Sequence, residues 1–134
     1  MTMRARGATT ALVSGGFTFF TARVAAELGF ETHRSNVLLD DGAALTGVVQ
    51  EPILDRDSKL SALKELAAAR GLKLQATMAV GDGANDLDMI RAAGLGVAFR
   101  AKPVVAAQAM VKVHHADLRA LLFMQGYKAS EFAA

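Results

Sequence analysis

The sequence contains no cysteine, so neither a disulfide framework nor a thiolate metal site can be built from it, and a reducing, cytoplasmic setting is the compatible expectation. Tryptophan is absent as well, prolines number 2, and aromatic residues make up only 6% of the chain. No apolar run approaches the ~18 residues of a membrane helix, and no signal-peptide pattern opens the chain, so no membrane partner is expected. A surplus of one charge is missing too: 15 Lys and Arg stand against 13 Asp and Glu, a net charge of +2. Arg4, Arg6, Arg91, Arg100 and Lys102 are scattered without interleaved aromatics, which argues against nucleic-acid binding. His33, His114 and His115 lack a useful ligand spacing and read as surface or structural histidines.

Hydrophobic residues are abundant, at 52%. Together with a mean hydropathy of +0.27 they fit a well-buried α/β chain better than a disordered one. At 134 residues the expectation is one domain spanning 1–134 around one core.

Residues 1–7 read as the tail of a helix, stopped by Gly7. Residues 9–13 form a short β-branched and apolar strand ending at Ser14-Gly15-Gly16-Phe17. Phe17, Phe20, Val24 and Leu28 then recur at three- and four-residue intervals up to Gly29, which predicts a helix. Ser14-Gly15-Gly16 is therefore expected as a strand-to-helix turn whose hydroxyl and backbone N–H groups can receive a phosphate oxygen. Residues 37–39 and 45–49 flank Asp40-Asp41-Gly42 as a small β-hairpin flap. Pro52 breaks the chain, and Asp57 or Ser58 is positioned to cap a helix whose buried stripe is Leu60, Leu63, Leu66 and Ala67, ended by Gly71. Lys59 falls in its first turn, where a cation opposes the helix dipole; a bound anion or carboxylate would account for it, and so would a solvated lysine. A strand over 94–98, a short helix from Pro103 to Ala109, a strand over 111–113 and a helix capped by Asp117 complete the chain. Strand and helix alternate, which implies a Rossmann-like parallel sheet wrapped by helices.

The most informative stretch is Gly81-Asp82-Gly83-Ala84-Asn85-Asp86-Leu87-Asp88. An apolar strand over 77–80 runs into it, and Leu87, Ile90 and Ala93 leave it at helical spacing. Ligands of open α/β sheets collect outside the carboxyl ends of strands, and oxygen ligands beside a helix N-terminus suit a hard cation and an anion together. A magnesium-and-phosphate site is the reading; turn-making and capping by Asp82 and Asn85 is the plain alternative. An EF-hand is a poor match, since the glycine and terminal glutamate offsets are wrong.

Val13-Ser14-Gly15-Gly16-Phe17, Lys59 and the loop from Gly81 to Ile90 together resemble the haloacid dehalogenase superfamily and, within it, the phosphoserine phosphatases, over residues 1–127. Cation-pumping ATPases carry a similar Gly-Asp-Gly-x-Asn-Asp loop but lack the Ser-Gly-Gly-Phe turn at this distance. The resemblance implies a HAD-type fold and hydrolysis of phosphoserine with Mg2+. It assigns Ser14 and the Gly15 N–H to the phosphoryl group, Lys59 to charge neutralisation, and Asn85 to the substrate phosphate. It assigns Asp82 to magnesium and Asp86 to orienting Lys59, and it implies that the Ser14 and Asp82 turns share one rim of the sheet.

One departure is severe. The family attacks phosphorus with the first aspartate of an Asp-x-Asp-x-Thr/Val motif on a central strand, and this sequence has no such motif. Asp55-Arg56-Asp57 has the spacing, but Pro52 interrupts a central strand and Lys59 stands where the motif needs Thr or Val; Asp86-Leu87-Asp88 lies on a helix, where i and i+2 diverge. The expectation is a C-terminal portion without the nucleophile strand and most of the cap. Two strand edges would then need a preceding segment, or exchange with a second copy, to cover them. An inactive phosphate- and magnesium-binding remnant, or a plain structural fragment, are the alternatives to the enzyme.

Overall fold

The computed structural model describes residues 1–51 and 53–133; Pro52, on which part of the argument against Asp55-Arg56-Asp57 leans, lies outside them. The chain divides into two compact units, Met1–Leu54 with Tyr127–Ala134, and Asp55–Gly126. Both are α/β, as the alternation of strand and helix predicts.

The first unit opens with α1 (Thr2–Ala5), followed by β1 (Ala11–Phe17), α2 (Thr18–Leu28) and β2 (Thr32–Asn36). Strands β1 and β2 pair in parallel, the handedness-compatible result of a helical crossover. The expected turn at Ser14 is different in kind: the backbone stays extended through Phe17, and the register against β2 shifts between Val13 and Phe17. Ser14, Gly15 and Gly16 form a bulged strand end here, and α2 follows directly from Phe17 with no side-chain cap. The apolar repeat of α2 also departs from a core-facing stripe. Phe20 and Leu28 are 63% and 56% exposed, and Thr21 and Ala25 are the buried positions.

A hairpin follows, β3 (Leu38–Asp40) and β4 (Leu45–Val49), antiparallel as expected. Its turn is held by the Asp41 carboxylate, which accepts the Ala43 and Ala44 N–H groups at 2.9 and 2.8 Å. The chain ends join the same unit, since the Arg6 guanidinium meets Glu131 at 2.9 Å and the Ala133 N–H donates to Thr2 Oγ1 at 2.8 Å.

The second unit runs α3 (Arg56–Ala69), β5 (Met78–Gly81), α4 (Leu87–Ala92), β6 (Leu95–Phe99), α5 (Pro103–Ala106), β7 (Val111–Val113) and α6 (Ala120–Met124). Its parallel sheet has the order β5-β6-β7. Alternation along β6 sends Ala98 to one face, against Leu87, Ile90, Val105 and Ala106. Val97 goes to the other, against Val113 and Leu121. The central strand is thus covered on both faces, which is why it reads as an unbroken apolar run. Among the described residues β5 has one strand neighbour, β6, and β1 has one, β2.

Helix α3 corrects two sequence expectations. Asp55, not Asp57 or Ser58, is its cap, accepting the Ser58 N–H at 3.1 Å. Its buried positions are Lys59, Ala62 and Ala67, while Leu60, Leu63 and Leu66 are half-buried. The inward face is the one that carries Lys59 to the buried Asp86 carboxylate, with Ala62 and Ala67 three and eight residues on at helical spacing. Among the described residues no helix is long and apolar enough to cross a membrane.

Candidate functional site

Strand β5 delivers the chain to Gly81, and a 3-10 turn (Ala84–Asp86) precedes α4, so the loop turns twice before the helix proper begins. Asp86 folds back across this loop and is 5% exposed. One of its oxygens, Oδ2, accepts the N–H groups of Asp82 and Gly83, each at 3.1 Å. The other, Oδ1, accepts the Lys59 ammonium at 2.6 Å. Lys59 is itself 8% exposed. Burial in low dielectric makes either charge alone costly, so each requires the other. Gly81 has to be glycine for this to fit, since a β-carbon there would land on the Asp86 carboxyl group.

The loop therefore separates two carboxylates by role. Asp86 is saturated by two amides and an ammonium. Asp82 is exposed, as is Asn85, and neither side chain has a hydrogen bond or ion pair among the described residues. The amides of Asp82 and Gly83 are taken by Asp86. Among the described residues no three His, Cys, Asp or Glu side chains converge as a metal cage. A single free carboxylate nonetheless suits Mg2+, which keeps several waters and needs only one or two protein oxygens.

A second ion pair, not singled out from the sequence, lies beside the first. Arg56 donates from Nε to Asp88 Oδ2 at 2.7 Å and from a terminal nitrogen to Oδ1 at 2.6 Å. Arg56 and Lys59 are one turn apart on α3, and Asp88 and Asp86 two apart at the start of α4, so two pairs lace the same helix starts. Sequence shows the charges but not that they face each other.

The Arg56 hydrogen bonds hold the Asp88 carboxyl below its ordinary range, and the Ser58 backbone N–H does the same for Asp55. A depressed folded value means the stabilisation is complete above the unfolded carboxylate range and is lost as pH falls through the folded value. The stability gap between wild type and Asp88→Asn is therefore expected to be constant near neutrality and to close below about pH 4. Urea unfolding midpoints from pH 7 to pH 2.5 measure it; a gap that widens on acidification would contradict the assignment.

In the other unit, Ser14 Oγ accepts the Gly16 N–H at 3.0 Å, which leaves the hydroxyl proton available to donate. The Gly15 carbonyl accepts Asn36 Nδ2 at 2.9 Å. Of the sequence-nominated residues, then, Lys59, Asp82, Asn85 and Asp86 gather on the second unit and Ser14 and Gly15 on the first.

The haloacid dehalogenase-like hydrolase model matches residues 2–91. A phosphoserine phosphatase of Streptomyces coelicolor is 44% identical over 133 residues, 99% of this chain and 32% of its own length. One of Streptococcus thermophilus is 46% identical over 116 residues, 87% of this chain and 54% of the relative. Among solved structures, a substrate-bound phosphoserine phosphatase aligns with a TM-score of 0.83 at 37% identity, covering 91% of this chain and 58% of the other. The chain thus spans about a third to a half of the length of these curated relatives.

Proposed function

Since the chain belongs to the haloacid dehalogenase-like hydrolase family, we propose that it supplies the charge-stabilising part of a magnesium-dependent phosphomonoesterase acting on O-phospho-L-serine, releasing serine and phosphate. The observation that carries this is the division of labour on one loop, with Asp86 saturated at the buried Lys59 ammonium and Asp82 left free four residues earlier. Phosphoryl transfer demands little covalent work from the protein and much electrostatic work, so cations and donors fixed in place are the requirement.

In this reading Lys59 neutralises phosphoryl charge, and Asp86 keeps its ammonium aimed. Asn85 donates from its amide to a phosphoryl oxygen, while Ser14 donates its hydroxyl proton and Gly15 its N–H to the same class of ligand. Asp82 would hold Mg2+, directly or through water. The ion would supply charge neutralisation at the phosphate. The attacking carboxylate is proposed to come from polypeptide outside these 134 residues, since they contain no Asp-x-Asp-x-Thr/Val. The same absence favours, as the second reading, a chain that binds magnesium and phosphate without turnover.

Titration calorimetry with Mg2+ tests the metal assignment: Asp82→Asn is expected to weaken binding by roughly 10–100-fold. Phosphoserine hydrolysis is expected to be negligible for the chain alone and to appear when a relative's segment bearing the Asp-x-Asp-x-Thr motif is co-expressed. Magnesium binding indifferent to Asp82 would overturn the first reading, and binding without turnover in the co-expressed sample would leave the second.

A further inference from the structure

We infer that Asn36, which no motif nominates, is the positioning residue of the Ser14-Gly15-Gly16 strand end; this rests on the proposal that those residues receive a phosphoryl group. Asn36 is the last residue of β2 and is 6% exposed. A buried primary amide is costly unless its groups are satisfied, and Asn36 satisfies them on two separate strands of chain. Its Nδ2 donates to the Gly15 carbonyl at 2.9 Å and, more weakly, to the Leu54 carbonyl at 3.5 Å. Its Oδ1 accepts the Leu54 N–H at 2.6 Å. The side-chain amide thus bonds both groups of Leu54, as a backbone neighbour in a ladder would.

The consequence lies in what the Gly15 carbonyl is attached to. That carbonyl and the Gly16 N–H belong to one planar peptide, so pinning the oxygen orients the N–H. The oriented N–H donates to Ser14 Oγ at 3.0 Å. With one lone pair taken by that amide, the Ser14 hydroxyl keeps its proton free to donate, the polarity an anionic oxygen needs. Glycines at 15 and 16 have the widest conformational freedom of any residues, and the β1–β2 register is broken between Val13 and Phe17, so the ladder does not hold this peptide. Asn36 does.

The test uses the intact 134-residue chain and Asn36→Asp, which keeps the shape but faces an oxygen towards the Gly15 carbonyl. NMR order parameters of the Gly15 and Gly16 amides are expected to fall from near ~0.85 to below ~0.6. The β2 amides of His33 and Arg34 should stay rigid. Unchanged glycine amides in a folded variant, or loosening spread equally over β2, would overturn the positioning role. Should Asn36→Asp fail to fold, wild type still decides: a through-hydrogen-bond scalar coupling between Asn36 Nδ2 and the Gly15 carbonyl carbon is expected, and its absence overturns the proposal. Inorganic phosphate titrated into wild type, followed at Ser14 to Gly16, tests the underlying reading separately. Binding there is expected to weaken by about tenfold in the variant, the scale of one charge-assisted hydrogen bond. Unaltered affinity counts against Asn36; wild type that does not respond to phosphate counts against the phosphate site, whatever the order parameters say.

Discussion

Replacing Asp86 with alanine lowers the unfolding free energy by about 3–5 kcal/mol, the range found when one partner of a buried ion pair is removed. The size follows from what the substitution leaves behind. The Lys59 side chain is only 10% exposed and would keep an ammonium in low dielectric with its 2.6 Å partner gone. The Asp82 and Gly83 amides would lose their common acceptor in the same step. Against a typical domain stability of ~5–15 kcal/mol this is a large share, so the urea midpoint should move visibly. The double variant Lys59→Met, Asp86→Leu is expected to recover much of the loss, since paired apolar groups of similar volume often match a buried salt bridge. A drop under about 1 kcal/mol for Asp86→Ala, the scale of an exposed pair, would mean that water reaches this pair freely.

Gly96→Ala is expected to destabilise by about 3 kcal/mol or more, the upper end for overpacking a tight interior. Gly96 lies in β6, and a β-carbon there would overlap the Ile90 carbonyl oxygen and crowd the Ile90 side chain. The overlapped atom is backbone within α4, so relief requires moving a helix across the sheet rather than turning a rotamer. Gly42→Ala is the control. Its φ of +88° is unfavourable for an L-residue, but open space surrounds it, so only a local cost of roughly 1–2 kcal/mol applies. Thermal unfolding of both variants ranks them; a smaller loss at Gly96 than at Gly42 would refute close packing of α4 on β6.

Much of the fold was legible because its signals are local. The apolar runs that became β5 and β6, and the hairpin around Asp41, are set by side-chain period and turn chemistry within a few residues. The apolar repeat of α2 predicts the helix but not the face it buries. Periodicity says which residues share a face of a helix, but not whether that face meets a neighbour. On α2 the inward positions are Thr21 and Ala25, with Thr21 Oγ1 2.6 Å from Ser35 Oγ, a polar contact that hydrophobic patterning cannot register. Asp55, Asp57 and Ser58 are all competent caps for α3, and only the bond from the Ser58 N–H to Asp55 separates them.

By itself the sequence determined the alternation of strand and helix, the acidic loop after β5 and the family to which the chain belongs, since all three are written in neighbouring residues and their spacing. Only the tertiary structure decided which carboxylate is saturated and which is free, that Arg56 faces Asp88 across 32 residues of chain, and that Asn36 holds the Gly15 peptide from 21 residues away. Those are long-range pairings among groups of ordinary type. Their partners are chosen by how helices and strands pack, and burial sets what each pairing contributes.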